Sequence, residues 1–99
     1  MLITNEILKE FKERMHLENY EDKNLIRILS ASVEALKIPC GDRDIKTDEP
    51  FKELVFERSR YVYNDALEYF DHNFLSRINT LSVLKAIEDN KKSDQNETI

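Results

Sequence analysis

The chain has little of what a many-stranded fold is built from. Of its 99 residues one is glycine and two are proline. Few tight turns are therefore at hand, which argues against a many-stranded β fold and for a few long helices. A single glycine also rules out glycine-rich phosphate loops, and there is no nucleophile elbow. Cys40 is the only cysteine, so no disulfide forms within the chain. No apolar run approaches the length needed to cross a bilayer. The first residues lack the basic-then-apolar order of a secretory signal, so the expectation is synthesis in the cytoplasm and no membrane partner. Basic residues are outnumbered: 15 Lys and Arg stand against 20 Asp and Glu, a formal net charge of -5. That balance does not suit a protein that grips DNA phosphates over a wide patch.

What is present is apolar periodicity. Hydrophobic residues make up 40% of the chain, enough for one domain with a modest core. The reading is all-α: a small bundle of about four helices around one long central helix at about 50–70. Residues 1–87 form the domain and 88–99 a flexible polar tail. Along the central segment Phe51, Leu54, Val55, Val62, Ala66 and Tyr69 recur at three-to-four-residue spacing, and Phe56, Tyr63, Leu67 and Phe70 make a second stripe. A helix apolar on two sides is surrounded by protein. Asp48 is the expected N-cap, with Glu49 and Pro50 in the first turn.

The flanking helices follow the same logic. Thr4 is the predicted N-cap of the first, with Ile3 and Leu8 as a hydrophobic staple and an end near His16. Ile7, Leu8, Phe11 and Met15 form its apolar face, and Glu10 and Arg14 an i,i+4 pair. Asn19 is the expected cap of the second helix, with Glu21 and Asp22 in its first turn. Leu25, Leu29, Val33 and Leu36 mark its face, broadened by Ile26 and Ile28. Ala31 and Ser32 are small enough for a close neighbour, and Pro39 and Gly41 end the helix. Residues 38–49 read as a long charged loop. A last helix is expected from about Asp71 to Ile78, with Phe74, Leu75, Ile78, Leu81, Leu84 and Ile87 on one face. Whether 79–87 is helical or extended stays open, since Asn79 and Thr80 are weak helix formers. From Glu88 the polar composition predicts disorder.

Candidate chemistry is sparse. Asp42, Asp44 and Asp48 match a calcium loop poorly: Glu53 fills its twelfth position, but Lys46 and Thr47 stand where the fifth and sixth need an acid and a glycine. Asp65, Glu68 and His72 at i, i+3 and i+7 align along one helical edge and form a possible ligand or acid–base set. One helix alone supplies them, and a surface Glu68–His72 pair is the simpler reading. Cys40 beside Pro39 and Gly41 is either an exposed reactive thiol or a passive turn cysteine; no Cys–His arrangement supports catalysis, which favours the passive reading. Tyr61, Tyr63, Tyr69, Phe56 and Phe70 are either a stacking platform for bases or core; the acids Glu57, Asp65 and Glu68 among Arg58 and Arg60 favour core.

Tyr61-Val62-Tyr63-Asn64-Asp65-Ala66, then Phe70, then the run from Asn73 and Phe74 through Ile78 to Leu81 resemble the head–tail connector (neck adaptor) family of long-tailed bacteriophages that infect Gram-positive hosts. Leu8-Lys9-Glu10-Phe11 and the acidic Glu21-Asp22 break agree in order and spacing, over about residues 4–87. Many members carry a longer acidic cluster before the second helix than the two acids here. The resemblance implies a structural virion protein of the neck and no enzyme. It implies a helical bundle, no cofactor and no metal, and a homo-oligomeric ring, typically dodecameric, beneath the portal protein. Such a ring extends the DNA channel and docks the stopper or tail. An acidic channel would let DNA pass without sequence-specific binding, and a head-to-tail interface would close the ring. Tyr61, Tyr63, Asn64, Phe70, Asn73, Phe74 and Ile78 are the family-motif positions. Two further candidates come from this chain alone. Asp42, Arg43, Asp44, Lys46 and Asp48 form a possible subunit or lumen contact loop, and Glu88, Lys91, Lys92 and Asp94 a possible portal-binding tail. The alternative reading is a small acidic helical regulator or inhibitor that binds another protein.

Overall fold

The computed structural model describes residues 3–18 and 21–97, with side chains through Lys91. Four helices follow one another: α1 (Asn5–Met15), α2 (Asp22–Cys40), α3 (Glu49–Tyr63) and α4 (Phe70–Glu97), with a 3-10 turn at Leu67–Tyr69 before α4. No strand occurs among the described residues.

Local chemistry explains most boundaries. Thr4 caps α1 as expected: its Oγ1 accepts from the Ile7 amide at 3.2 Å, satisfying one of the orphan donors of the first turn. At the other end His16 takes the left-handed conformation, φ 57°. Its amide donates to Glu13 O, and the Leu17 amide to Lys12 O at 2.9 Å, the two bonds of a Schellman stop. Glu21 holds the cap position of α2 without a side-chain bond; Asn19, the expected cap, lies outside the described residues. Pro39 sits inside the last turn of α2. The chain leaves the helix at Gly41, φ 85°, where a Cβ would come within 3.2 Å of Lys85. Asp48 caps α3 through Oδ1, which accepts from the Phe51 amide at 3.1 Å.

The expected central helix over 50–70 is shorter than predicted. α3 stops at Tyr63, and Asp65 turns left-handed at φ 59°. The Asp65 amide donates to Val62 O at 3.1 Å and the Ala66 amide to Tyr61 O at 2.8 Å, a second Schellman stop. The break puts Leu67 and Tyr69 in solvent instead of on the apolar stripes. Glycine is the usual residue at such a position; an acid there carries no stop signal in sequence.

The core is assembled around α3. Phe51, Leu54, Val55 and Phe56 are buried against Phe11 of α1, Leu25, Leu29, Val33 and Leu36 of α2, and Phe70, Ile78 and Leu81 of α4. Each fully buried large apolar side chain contributes roughly 1.5–3 kcal/mol. Phe11 and Phe56 meet with ring centroids 5.4 Å apart. Ile26 faces outward instead of broadening the α2 face. Ser32 is buried at the α2–α3 crossing, where its Oγ accepts from Ser59 Oγ at 3.0 Å and from Arg58 Nη1 at 3.1 Å. Ala31, the other small residue proposed for close approach, is exposed.

α4 is one helix through Asn79 and Thr80. Thr80 Oγ1 donates back to Ser76 O at 3.0 Å, which occupies its hydroxyl without breaking the helix. The polar segment from Glu88, expected to lack structure, carries helical backbone to Glu97. Its side chains at 88–91 stay exposed, as its composition requires.

Candidate interaction surfaces

The family-motif residues meet at one corner, where α3 hands over to α4. Phe70 stacks on Phe74 at 5.1 Å between centroids, and Tyr61 stands edge-on to both at 5.8 and 5.7 Å. Asn73 Nδ2 donates to the Tyr61 hydroxyl at 3.0 Å. Arg60 lies over the Tyr61 ring and Arg77 over Phe74. The Tyr63 hydroxyl donates to Glu21 on the start of α2, and Asn64 Nδ2 donates to Arg60 O at 2.9 Å. Ile78 is buried below. Tyr61 packs within this ring cluster and Tyr63 against the core, so the core reading holds for those two, but Tyr69 stands in solvent.

The charged loop is shorter and more closely held than its composition implies. Only 41–48 is non-helical. Ile45 is fully buried and anchors it. Arg43 is nearly buried: Nε donates to Cys40 O at 2.8 Å, Nη1 to Asp48 at 3.1 Å and Nη2 to Leu81 O at 3.4 Å. Of the five candidate contact residues, Arg43 and Asp48 are thus committed to tying α2, α3 and α4 together. Asp42, Asp44 and Lys46 face solvent, with Asp44 Oδ1 accepting from the Lys46 amide at 2.9 Å. Cys40 is buried under the loop, and burial pushes its thiol pKa up, the opposite of what a reactive cysteine needs.

Asp65, Glu68 and His72 do not share a helical edge. Asp65 is in the Schellman stop, Glu68 in the 3-10 turn and His72 in α4. Among the described residues no group of His, Cys, Asp and Glu converges to hold a metal ion, and no Glu68–His72 ion pair forms among them. Of the tail candidates, Glu88 approaches Arg43 at 3.7 Å and Lys91 is exposed. The side chains of Lys92 and Asp94 lie outside the described residues.

Two features escaped the sequence reading. Arg14 does not pair with Glu10 along α1. It reaches α3, where its two terminal nitrogens meet Glu53 at 3.0 and 2.7 Å and Glu57 at 3.1 Å. Glu10 instead receives Lys52 at 2.9 Å. The Arg14 fork holds the Glu53 carboxyl below its usual pKa, and the hydrogen bond to Glu53 raises that of Arg14. No signal within α1 distinguishes an intrahelical pair from this cross-helix one. The second feature is α4. The sequence reading put Leu75, Leu84 and Ile87 on the same face as Ile78 and Leu81. The helix buries Ile78 and Leu81 and leaves Leu75, Val83, Leu84 and Ile87 exposed, so it has two apolar sides and the bundle covers one. A shallow groove runs along the open side, lined by His72, Leu75, Ser76, Asn79, Thr80 and Val83 among others.

No helix among the described residues is long and apolar enough to cross a membrane. Comparisons with protein-family models, with curated proteins and with solved structures find no match.

Proposed function

We propose that this chain is a head–tail connector of a long-tailed bacteriophage, a structural protein of the virion neck that assembles as a ring beneath the portal. The observation that carries the reading is the α3–α4 corner. Tyr61, Phe70, Asn73, Phe74 and Ile78, the positions on which the resemblance rests, act as one packed unit that sets the angle at which α4 leaves the bundle. Residues that hold a long helix at a fixed angle suit a protein whose work is to present surfaces to neighbours. The ring, portal and stopper interfaces would fall to exposed elements: Asp42, Asp44 and Lys46 on the loop, and α4 with its tail. The net charge of -5 fits a channel that DNA slides through without being held.

The first test is the genome around the gene. Portal and capsid genes upstream, with stopper and tail genes downstream, are the expected result. Electron microscopy of the purified protein mixed with that portal then shows a second ring stacked on the portal ring. A neighbourhood of regulatory genes, or a portal that remains bare, overturns the connector and favours the acidic protein-binding regulator.

A further inference from the structure

α4 belongs to the bundle for only part of its length. Phe70, Ile78 and Leu81 are buried, and among the described residues Leu81 is the last side chain of α4 that is. From Ser82 to Lys91 only Ser82 and Lys85 are half-buried; the others are exposed, Val83, Leu84 and Ile87 included. A helix in a folded protein is held mostly by the face it buries. Past Leu81 there is no such face among the described residues. The segment's own chemistry does not replace it. Isolated helices up to about 12–15 residues long are marginal in water, and the last turn of α4 holds no basic residue, where the macrodipole favours cations.

The contacts that hold the segment are polar, and they converge on the end of α2. The last carbonyls of a helix have no partner within it. Lys85 lays its stem against Gly41, with its Cδ 3.2 Å from the place a Cβ would occupy, and its Nζ donates to Ile38 O at 3.5 Å. Glu88 comes within 3.7 Å of Arg43. Arg43 itself donates to Cys40 O, Asp48 and Leu81 O. The guanidinium that ties the loop down therefore meets α4 at the point where burial stops. The Lys85 and Glu88 contacts are open to water, which competes with them and keeps them weak. We infer that α4 is two parts joined at Leu81. Residues 70–81 unfold only with the bundle, while the segment from Ser82 opens and closes by itself, with Lys85 and Glu88 as its latch on the end of α2 and the 41–48 loop. Openings of this kind, smaller than the whole domain, are drawn from the elements with the fewest buried contacts. Val83, Leu84 and Ile87 stand on one side only while the segment is helical. Opening thus removes that part of the exposed apolar side, and closing restores it.

This inference does not rest on the connector reading: genome context tests that one, amide exchange this one. Native-state hydrogen exchange of the full chain is read amide by amide by NMR. The amides from Ala86 to Lys91 are expected to exchange at least about 100-fold faster than those of Leu29 to Leu36 and Val55 to Ser59, yet slower than in an unstructured chain. Low urea is expected to leave the fast set nearly unchanged and to speed the slow set, because opening the segment exposes little surface. Lys85→Met keeps the stem and removes the donor. It is expected to speed exchange from Ala86 to Lys91 about 2- to 5-fold and to leave the slow set unchanged. Ile87→Pro breaks the helix beyond Leu81, and is expected to lower the helical circular dichroism signal without moving the urea midpoint of the bundle. Exchange from Ala86 to Lys91 in step with the slow set, or at the unstructured rate, overturns the two-part helix. A urea midpoint that falls in Ile87→Pro overturns the boundary at Leu81. Unchanged exchange in Lys85→Met overturns the latch.

Discussion

α3 and α4 carry the same kind of pattern and meet different fates. Each has apolar residues on two sides. α3 buries both, with Phe51, Leu54, Val55 and Phe56 enclosed by the other three helices. α4 buries Ile78 and Leu81 and leaves Leu75, Val83, Leu84 and Ile87 in solvent. The difference lies in the number of neighbours. α3 packs against α2 and α4 and meets α1 through Phe56 and Glu53, whereas α4 packs against α2 and α3 along one side. Periodicity reports that a helix has a face to bury; it does not say whether the same chain supplies the cover.

The largest expected effect tests that contrast directly. Phe51→Ala opens a cavity at the centre of the bundle and is expected to cost about 3–5 kcal/mol of unfolding free energy. Val83→Ala, on the open side of α4, is expected to change monomer stability by no more than about 0.5 kcal/mol. Urea unfolding at low protein concentration measures both, and comparable losses would erase the distinction between the two helices.

A middle-sized effect sharpens it at the α2–α3 contact. Ser32→Ala deprives both Ser59 and Arg58 of their acceptor in a buried place. Burial already lowers the Arg58 pKa, opposed in part by Asp71. The expected cost is about 1–3 kcal/mol, and larger than that of Ser59→Ala, which leaves the Arg58 bond in place. Equal costs would mean that the guanidinium finds water instead.

The smallest effect belongs to the α1–α3 charges. The folded-state pKa of Glu53 is depressed by Arg14. Its contribution is therefore present above the unfolded carboxylate value and is lost as pH falls through the folded one. Both partners are well exposed, so the gain is no more than about 1 kcal/mol and fades in salt. The melting temperature of wild type is expected to exceed that of Glu53→Gln at neutral pH, and the gap to close in acid. A gap that persists to pH values below both carboxylate pKa values would show that packing of the Glu53 stem, not its charge, holds α1 down.

Much of the fold is legible in the residues. Thr4 and Asp48 cap where capping chemistry puts them, and Gly41, the only glycine, takes the one glycine-favouring position of the α2 stop. Leu25, Leu29, Val33 and Leu36 are buried as their spacing requires. The misreadings share a cause. Asp65 ends a helix in the left-handed conformation without being glycine, because the chain after it turns back to bring Phe70 onto the core. Ile45 anchors a charged loop because its single apolar side chain is buried in the core. The motif tyrosines could be named from the sequence, but their joint packing could not.

Sequence alone determined the all-helical character, the faces of α1 and α2, the N-caps at Thr4 and Asp48 and the acidic surface. Each of these follows from interactions within a few residues of chain or from composition. Tertiary structure decided where α3 stops, which acid Arg14 pairs with and how Arg43 ties three elements together. It also decided which of two apolar sides α4 leaves open. Those outcomes depend on what happens to lie across a gap, and local spacing carries no record of the far side.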